Sequence, residues 1–437
     1  MRKRVAKYVG WGALGLAALT VVLLLAGLSK SEVELTANGV HKRLLFPAGA
    51  GKDAAIQMWG GTGDTPVIPG FLDGPVVRTA ADGTWSAAWF CEDRVERSNG
   101  TGAELRISCG GTQSRYPVSA PQSIPPSTIP MPSQLLVLSD VEGNLAFLDA
   151  ALQKLGVADV AGNWRYGSGQ LVIAGDAVDR GRDVFAVLWR IYELSLQAAQ
   201  AGGAVHMVLG NHEQYLLRGN VSRANREHLY ALEQLGGQRA AFGPDTVLGS
   251  WLRAQPVVLQ AGKVLLTHGG ISRQVAASGL SVEQLNEAMR RYWRGEPASK
   301  AELDAVLGAD GVSRYRGYFD TGDRKEVRAS QADIEAALRH FGAEAIVVGH
   351  TQVERVTTLY KGRVLAVDVN SNGAAPEVLL FEDGVPRVVD MGVGRALPDD
   401  RPATRQRAFR VTAADDWQAL GRSAQAGWKL ARMPHPY

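Results

Sequence analysis

Cysteine is nearly absent from this chain, which has only Cys91 and Cys109 among its 437 residues. Metal sites built from clusters of thiolates, and scaffolds held together by several disulfides, both need more cysteines than this. The sequence therefore excludes a cysteine-based metal site and a disulfide-rich fold.

The chain also has no strong excess of charge of either sign. Its 47 Lys and Arg residues and 44 Asp and Glu residues leave a net charge of +3. Nucleic-acid-binding proteins use a dense stripe of Lys and Arg, which this sequence does not have, so we expect no nucleic-acid partner. A hydrophobic fraction of 46% is ordinary for a folded protein. Because 437 residues are too many for one average core, we expect two or more domains.

Charge is missing from one long segment near the N-terminus, residues 9–28. About 20 apolar residues are enough to cross the hydrocarbon core of a bilayer, about 30 Å thick, as a helix. Basic residues on one flank of such a helix favour the cytoplasmic side. The high Ala, Gly and Arg content suggests a bacterial protein. We therefore predict that residues 1–30 are a single-pass anchor in a bacterial inner membrane, with the catalytic part in the periplasm. The basic flank consists of Arg2, Lys3, Arg4 and Lys7.

A cleaved signal peptide is the alternative for this segment. No clear small-x-small cleavage site and no lipoprotein cysteine follow it, which favours the uncleaved anchor. In both cases the rest of the chain is exported, so Cys91 and Cys109 can form a disulfide. Two buried free thiols are the other interpretation of this pair.

The composition changes several times after the anchor. Residues 31–116 contain short apolar or alternating stretches separated by Gly, Asp and Asn, which predict a small all-β domain. Residues 117–133 are rich in Pro and Ser and predict a semi-rigid linker. We assign residues 134–395 to the main domain and residues 396–437 to a polar, Arg-rich C-terminal tail.

Strands and helices alternate in the main domain. This alternation predicts βαβ units, a mainly parallel sheet and the α/β class. The segments at about 215–260 and 272–340 are interpreted as helical and loop insertions that shape the substrate cleft. The predicted strands are residues 135–138, 171–174, 204–209, 264–267 and 345–348, and helices are predicted at 145–155 and 184–199.

Each of these strands is followed by residues of the types that bind metals. In open α/β sheets, ligands bind beyond the carboxyl ends of the strands, so five separate segments can converge on one site. One histidine after a strand is more often a structural residue, but five polar clusters at the same structural position indicate a metal centre. These clusters contain Asp140 and Glu142, Asp176 and Asp179, Asn211, His212 and Glu213, and then His268 and His350.

Four of these clusters match motifs that are highly specific as a group. Residues 175–181 read GDAVDRG, residues 210–213 read GNHE, residues 268–270 read HGG, and residues 349–351 read GHT. Over about residues 135–395 the chain therefore resembles the calcineurin-like metallophosphoesterase superfamily, on the side of the PPP-type protein phosphatases. The resemblance implies a metallophosphoesterase-type β-sandwich flanked by helices.

Two local features resemble the Shewanella-like bacterial phosphatases in particular. The segment LRGN at residues 217–220 comes shortly after GNHE, and the segment YRGY at residues 315–318 lies in the second insertion.

The resemblance implies a role for each matching residue. Asp176 would bridge two divalent metal ions, and Asp140 would hold the first of them. The second ion would be held by Asn211, His268 and His350. The two ions would clamp the phosphoryl group and convert a bridging water into the attacking hydroxide. We expect Mn²⁺, with Mg²⁺, Fe or Zn²⁺ as alternatives.

The resemblance also implies four catalytic residues. His212 would protonate the leaving oxygen, and Asp179 would orient its imidazole. Arg180 would bind phosphate oxygens through its forked guanidinium, and Arg316 is a second candidate for that task. The alternatives are a structural ion pair between Asp179 and Arg180 and a surface role for Arg316. Glu213 is expected to brace its loop rather than to bind metal.

One residue departs from the family pattern. The first motif is usually Asp-x-His, but here it reads Asp140-Val141-Glu142. A carboxylate can bind a divalent cation, and carboxylate-rich sites suit Mn²⁺ or Mg²⁺ better than softer metals. We therefore expect a first-metal pocket with an altered preference. The alternative is that Glu142 points away and that the first metal is weak or absent.

Three functions follow from these residues. The first is a two-metal phosphoesterase that hydrolyses phosphomonoesters, such as those of phosphoproteins. The second is a nucleotide or dinucleoside-polyphosphate hydrolase. The third is an inactive, membrane-anchored protein that binds or senses phosphate, and Glu142 is its only support. The expected partners of this protein are a phosphorylated substrate and the inner membrane.

Overall fold

The chain forms two compact units in the computed structural model, which we describe one at a time. The first unit draws on residues 1–71, 92–94 and 400–433, and the second on residues 72–91, 95–399 and 434–437. The structure describes residues 15, 18–35, 41–47, 53–59, 71–92, 94–118, 123–320, 328–369, 377–391, 405–414, 416–418 and 420–421.

The strands are numbered along the chain within these residues. They are β1 (Glu32–Leu35), β2 (His41–Pro47), β3 (Asp53–Trp59), β4 (Leu72–Thr79), β5 (Thr84–Cys91), β6 (Arg94–Thr101), β7 (Glu104–Cys109), β8 (Thr112–Pro117), β9 (Thr128–Ile129), β10 (Gln134–Leu138), β11 (Gln170–Ile173), β12 (Ala204–Met207), β13 (Val258–Ala261), β14 (Val264–Thr267), β15 (Ala345–Val348), β16 (Thr357–Leu359), β17 (Val364–Ala366), β18 (Glu377–Glu382), β19 (Val385–Asp390) and β20 (Arg405–Ala408).

The helices between residues 145 and 341 lie in the second unit. They are α1 (Leu145–Lys154), α2 (Val184–Gln200), α3 (Asn211–Arg218), α4 (Arg226–Gln234), α5 (Gln238–Ala241), α6 (Val247–Ala254), α7 (Arg273–Ala277), α8 (Val282–Arg294), α9 (Lys300–Leu307) and α10 (Gln331–Phe341).

The first unit is built on an antiparallel sheet with the order β20-β1-β2-β3. Leu28, Leu44 and Phe409 form its small buried core. Part of the predicted C-terminal tail, 396–437, is therefore a strand, because β20 pairs with β1 along its whole length.

The predicted membrane anchor falls partly outside the described residues, which omit residues 1–14, 16 and 17. Residues 18–29 are helical. Among the residues that the structure describes, no helix is both long enough and apolar enough to cross a membrane.

Two sheets pack face to face in the second unit. One has the order β12-β11-β10-β18-β19, with β10, β11 and β12 parallel and β18 and β19 antiparallel. The other has the order β16-β17-β15-β14-β13-β9, with β14, β15 and β17 parallel. The core between them combines side chains of both sheets, among them Leu135, Val172, Leu266 and Val347.

This arrangement confirms the α/β class, but the strands form two sheets instead of one. The strands predicted as one mainly parallel sheet are divided between two mixed sheets, which together form a β-sandwich. The division has a physical reason: nearly every strand is buried on both faces, and such apolar runs do not tell which sheet a strand joins.

The strands β4 to β8 belong to the second unit, unlike β1 to β3. A disulfide between Cys91 and Cys109 connects β5 to β7. The Trp189 indole of α2 donates a 3.1 Å hydrogen bond to the Pro75 carbonyl, and the Tyr116 ring packs against Trp189. The all-β domain predicted at residues 31–116 is therefore divided between the two units. Its second half is fixed to the helices by buried aromatic contacts, which short turn-rich stretches of sequence do not reveal.

Candidate metal centre and its surroundings

Five loops converge at the carboxyl ends of the central strands. Asp140, Asp176 and Asn211 follow β10, β11 and β12 of one sheet, whereas His268 and His350 follow β14 and β15 of the other. Because the two sheets pack face to face, both contribute ligands to the same edge of the sandwich. All five side chains are buried or nearly so.

The backbone of these loops is held in an unusual conformation. Positive φ angles occur at Asp140 (52°), Asp176 (52°) and His350 (63°), where most residues with a side chain are disfavoured. Each costs about 1–3 kcal/mol and persists only where the surroundings hold it in place. Here the amide of Asp140 donates to the Gly175 carbonyl at 3.0 Å. Such clustered strain is typical of a functional site.

Two glycines of the motifs permit the close approach of these loops. A Cβ atom at Gly210 would collide with the Asp176 carboxylate. A Cβ atom at Gly349 would lie 2.6 Å from Asp140 Oδ2 and closer still to the Ser139 hydroxyl. The motifs therefore need glycine here because of space rather than because of backbone freedom.

Asp176, His268 and His350 form the centre of the site. Each offers one donor atom, and these atoms lie within 4.8 Å of one another, which suits a metal ion. His268 Nδ1 lies 2.8 Å from the Ala174 carbonyl, so this nitrogen carries the proton. Its Nε2 atom lies 2.9 Å from Asp176 Oδ2 but outside hydrogen-bonding geometry.

The charges of the centre favour a cation. Burial lowers the pKa of His268, but the carboxylates of Asp176 and Asp140 outweigh it and raise that pKa to about 10. Burial by itself would raise the pKa of Asp176, yet the imidazoles of His212 and His268 bring it below its usual range. The pocket thus attracts positive charge.

Asp140 lies at the edge of this centre. Its Oδ2 atom accepts hydrogen bonds from the Ser139 hydroxyl and, at 3.2 Å, from the His350 amide. Burial raises the pKa of Asp140 well above its ordinary value, and the negative charge of Asp368 adds to the effect.

Sequence reasoning missed Ser139 and Asp368. Asp368 is buried and follows the short strand β17. Asp140 and Asp176 were predicted from the same kind of position, shortly after a buried strand.

Asn211 and Glu213 have different tasks at the start of α3. Asn211 Oδ1 is buried and has no hydrogen-bond partner within the described residues, as expected of an oxygen that is free to bind a cation. Glu213 instead accepts hydrogen bonds from the amides of Asp176, Ala177 and Gly210 at 2.8–2.9 Å. This confirms the interpretation that Glu213 braces the loop.

His212 is positioned between two aspartates. Its Nδ1 atom lies 3.0 Å from Asp179 Oδ2, and its Nε2 atom lies 3.6 Å from Asp176 Oδ2. Burial lowers the pKa of His212, but Asp176 and then Asp179 raise it to about 9. A protonated imidazole with one nitrogen fixed by a carboxylate can donate a proton from the other.

Arg180 and Glu142 form an ion pair. Arg180 Nη1 lies 3.0 Å from Glu142 Oε1, with the arginine side chain 54% exposed and the glutamate side chain 11% exposed. The structure thus directs one oxygen of Glu142 to the arginine that we predict to bind phosphate. Glu142 is not among the residues whose donor atoms cluster with those of Asp176, and its predicted role as a ligand stays a prediction.

Arg316 reaches the loop that carries His350. Its Nη1 atom donates to the His350 carbonyl at 2.9 Å and to the Thr351 hydroxyl at 3.3 Å. The neighbouring Tyr318 is fully buried and bonds to both the amide and the carbonyl of Ile271. The second insertion is thereby pinned beside the HGG loop, and it brings Arg316 to the metal centre.

The residues present fit divalent metal ions. Carboxylate, amide and imidazole donors suit Mn²⁺, Mg²⁺, Fe or Zn²⁺. The unpartnered Asn211 oxygen and the Nε2 atom of His268, which has no hydrogen bond, are the atoms that a cation would satisfy.

Comparisons with known proteins agree with this geometry. Residues 133–354 match the family model described as calcineurin-like phosphoesterase. The chain is 23% identical over 342 residues to Shewanella-like protein phosphatase 2 of Arabidopsis thaliana, covering 66% of this chain and 83% of that protein. It is 26% identical over 211 residues to a symmetrical bis(5'-nucleosyl)-tetraphosphatase of Chromobacterium violaceum, covering 42% of this chain and 72% of that protein.

The fold is also similar to a solved structure. The crystal structure of a cold-active protein-tyrosine phosphatase of a psychrophilic Shewanella species aligns with a TM-score of 0.66 and 32% sequence identity. The alignment covers 74% of this chain and 99% of that one.

Proposed function

The chain belongs to the calcineurin-like phosphoesterase family, and because it does, we propose that it removes phosphate from phosphomonoesters on proteins. That it is a metal-dependent phosphoesterase follows from the family and from its phosphatase relatives. The 3.0 Å contact between His212 and Asp179, beside the cluster of Asp176, His268 and His350, supports the proposed cleavage of phosphomonoesters. A proton donor held next to a cation site is what cleavage of a phosphomonoester needs.

Divalent cations, when bound, supply the positive charge that stabilises a transferring phosphoryl group and acidifies water. Five residues would hold them, and Mn²⁺ is the ion that we propose. These residues are Asp140, Asp176, Asn211, His268 and His350.

His212 donates a proton to the leaving oxygen in this proposal. The contact from Nδ1 to Asp179 leaves Nε2 as the donating atom, and its raised pKa keeps the proton in place at neutral pH. Arg180 is half exposed and binds the phosphate oxygens, with Arg316 as a second contact from the insertion. A chain that only sensed phosphate would not need a proton donor, so these residues speak against the inactive alternative.

Protein phosphomonoesters are favoured over other substrates by the relatives named protein phosphatases, whose matches span 66% and 74% of this chain. The relatives named protein phosphatases include one of which the chain covers 99%. The second candidate, hydrolysis of dinucleoside polyphosphates, is favoured by matches to symmetrical bis(5'-nucleosyl)-tetraphosphatases, which cover shorter stretches of this chain.

We also propose that the catalytic unit is exported and anchored in an inner membrane by residues 1–30. The basic flank and the apolar run of the sequence support this, as does the Cys91–Cys109 disulfide, since such bonds persist in oxidising compartments. An alkaline-phosphatase reporter fused to the C-terminus of the full chain should be active in bacterial cells. A reporter that is inactive there, but active behind a known signal sequence, would contradict export.

One assay tests the proposed activity. The full chain is loaded with Mn²⁺ and offered p-nitrophenyl phosphate, phosphopeptides and dinucleoside polyphosphates side by side. We expect the highest kcat/KM on phosphopeptides. A preference for dinucleoside polyphosphates would select the second candidate, and no turnover with metal bound would exclude both.

A further inference from the structure

The ion pair between Glu142 and Arg180 joins two residues that the proposed function treats separately. Arg180 would bind phosphate, and Glu142 stands at the position of an expected metal ligand. In the structure, one glutamate oxygen lies 3.0 Å from one nitrogen of the guanidinium. The inference below rests on the proposed function, because it concerns how the site binds phosphate.

The backbone around both residues is fixed, so the pair is a built feature of the loops. The amide of Glu142 donates to the Asp176 carbonyl at 3.0 Å, and the Gly181 amide donates to the Glu142 carbonyl at 2.8 Å. The Arg180 amide donates to the Arg223 carbonyl at 2.9 Å. Both residues have positive φ, 54° in each case. Neither side chain can therefore leave the pair by moving its backbone at low cost.

A carboxylate and a phosphate compete for the same donors of a guanidinium. Arginine offers planar N–H groups that match two anionic oxygens. An anion that already binds these N–H groups competes with a second anion for them. The glutamate side chain is largely buried, whereas about half of the arginine side chain is open to solvent. A neutral imidazole at position 142 would not compete in this way.

We propose that Glu142 competes with phosphate for Arg180 and thereby lowers the affinity of the site for phosphomonoester dianions and for the phosphate product. Glu142 is a positioning residue in this account, since it acts through Arg180. Its negative charge holds the guanidinium when the site is empty of phosphate, and a substrate must displace it. The expected benefit is faster product release at the expense of affinity.

The test measures phosphate affinity and turnover separately. In Glu142→Gln the shape stays similar but the charge is lost. We expect the inhibition constant of inorganic phosphate and the KM to fall together by about two- to fivefold, the range of a partly exposed ion pair, with a smaller change in kcat. Calorimetric titration of the Mn²⁺-loaded full chain with inorganic phosphate measures the same affinity without turnover. Inactivity of the wild-type chain would therefore remove the proposed function while leaving this test readable.

Two further variants separate competition from metal loss. Glu142→His supplies a neutral side chain that can still bind metal, and we expect it to tighten phosphate binding with an unchanged metal content. Glu104→Gln is the matched control, because Glu104 forms an exposed 2.7 Å ion pair with Arg106, and it should leave the phosphate affinity as it is. Metal loss in Glu142→Gln that Glu142→His restores would overturn the proposal, since Glu142 would then act as a ligand first.

A double-mutant cycle tests whether the effect runs through Arg180. In an Arg180→Ala background, Glu142→Gln should no longer tighten phosphate binding. Equal tightening with and without Arg180 would mean that the carboxylate acts only through its general field, and unchanged or weaker phosphate binding in Glu142→Gln would mean that it does not compete. Either result overturns the proposal.

Discussion

The Nδ1 atom of His212 lies 3.0 Å from Oδ2 of Asp179, and both side chains are buried. This contact fixes which nitrogen of the imidazole carries a proton toward the metal centre. It also places the two residues in one hydrogen-bonded unit, although they are 33 positions apart in the sequence.

Loss of the His212 imidazole should lower kcat most for substrates whose leaving group needs a proton. In His212→Ala we expect kcat on a phosphoserine peptide to fall by about 10²–10⁴-fold, the range for loss of a general acid. The loss should be smaller on p-nitrophenyl phosphate, because p-nitrophenolate leaves without protonation. Steady-state kinetics on both substrates measures the difference. Equal losses on the two substrates would assign His212 to binding or structure instead of proton transfer.

Gly349 should tolerate no side chain. A Cβ atom there would press on Ser139 and on the Asp140 carboxylate, so Gly349→Ala should displace Asp140. We expect kcat/KM to fall by at least about tenfold, as for loss of support to a metal ligand. Gly421→Ala is the matched control, because a Cβ atom there would meet open space. An alanine at position 349 that leaves metal content and kcat/KM intact would disprove the packing argument.

Glu193, in α2, should make stability depend on pH. Burial raises its pKa to about 7, against attraction by Arg190 and Arg115. The folded state therefore holds a proton that the unfolded state releases at lower pH. Its contribution to stability is complete below the ordinary glutamate pKa and is lost as pH rises through about 7.

Glu193→Gln removes this titration. We expect the variant to be more stable than the wild type at pH 8, by on the order of 1 kcal/mol, and to show little difference at pH 5. Melting temperatures of the wild type and the variant at both pH values measure this. A variant whose advantage is the same at both pH values would show that Glu193 is ionised throughout.

The strands of the site were predictable, because each is a short apolar run followed by polar residues. Asp140, Asp176 and Asn211 come shortly after β10, β11 and β12, as the sequence pattern indicates. Asp368 was missed because β17 has only three residues and its apolar run gives a weak signal.

Long-range pairings could not be predicted from local patterns. β20 pairs with β1 although more than 300 residues separate them, and its sequence is polar and rich in arginine. The packing of β4 on α2 depends on Trp189 meeting the Pro75 carbonyl, which no periodicity reveals. In the same way, the sequence placed Glu142 and Arg180 in one site, but only the structure shows that they contact each other.

Asp176 gives the most direct test of the two-metal account, because its carboxylate contacts His268 and accepts the His212 amide at the middle of the site. The measurement is metal content and turnover of Asp176→Asn beside the wild-type chain, both loaded with Mn²⁺. We expect about two ions per wild-type chain. In the variant, metal content should fall and kcat should drop by more than about 100-fold, since losing even a residue that supports a ligand costs 10–100-fold. Unchanged metal content together with wild-type turnover would contradict the account.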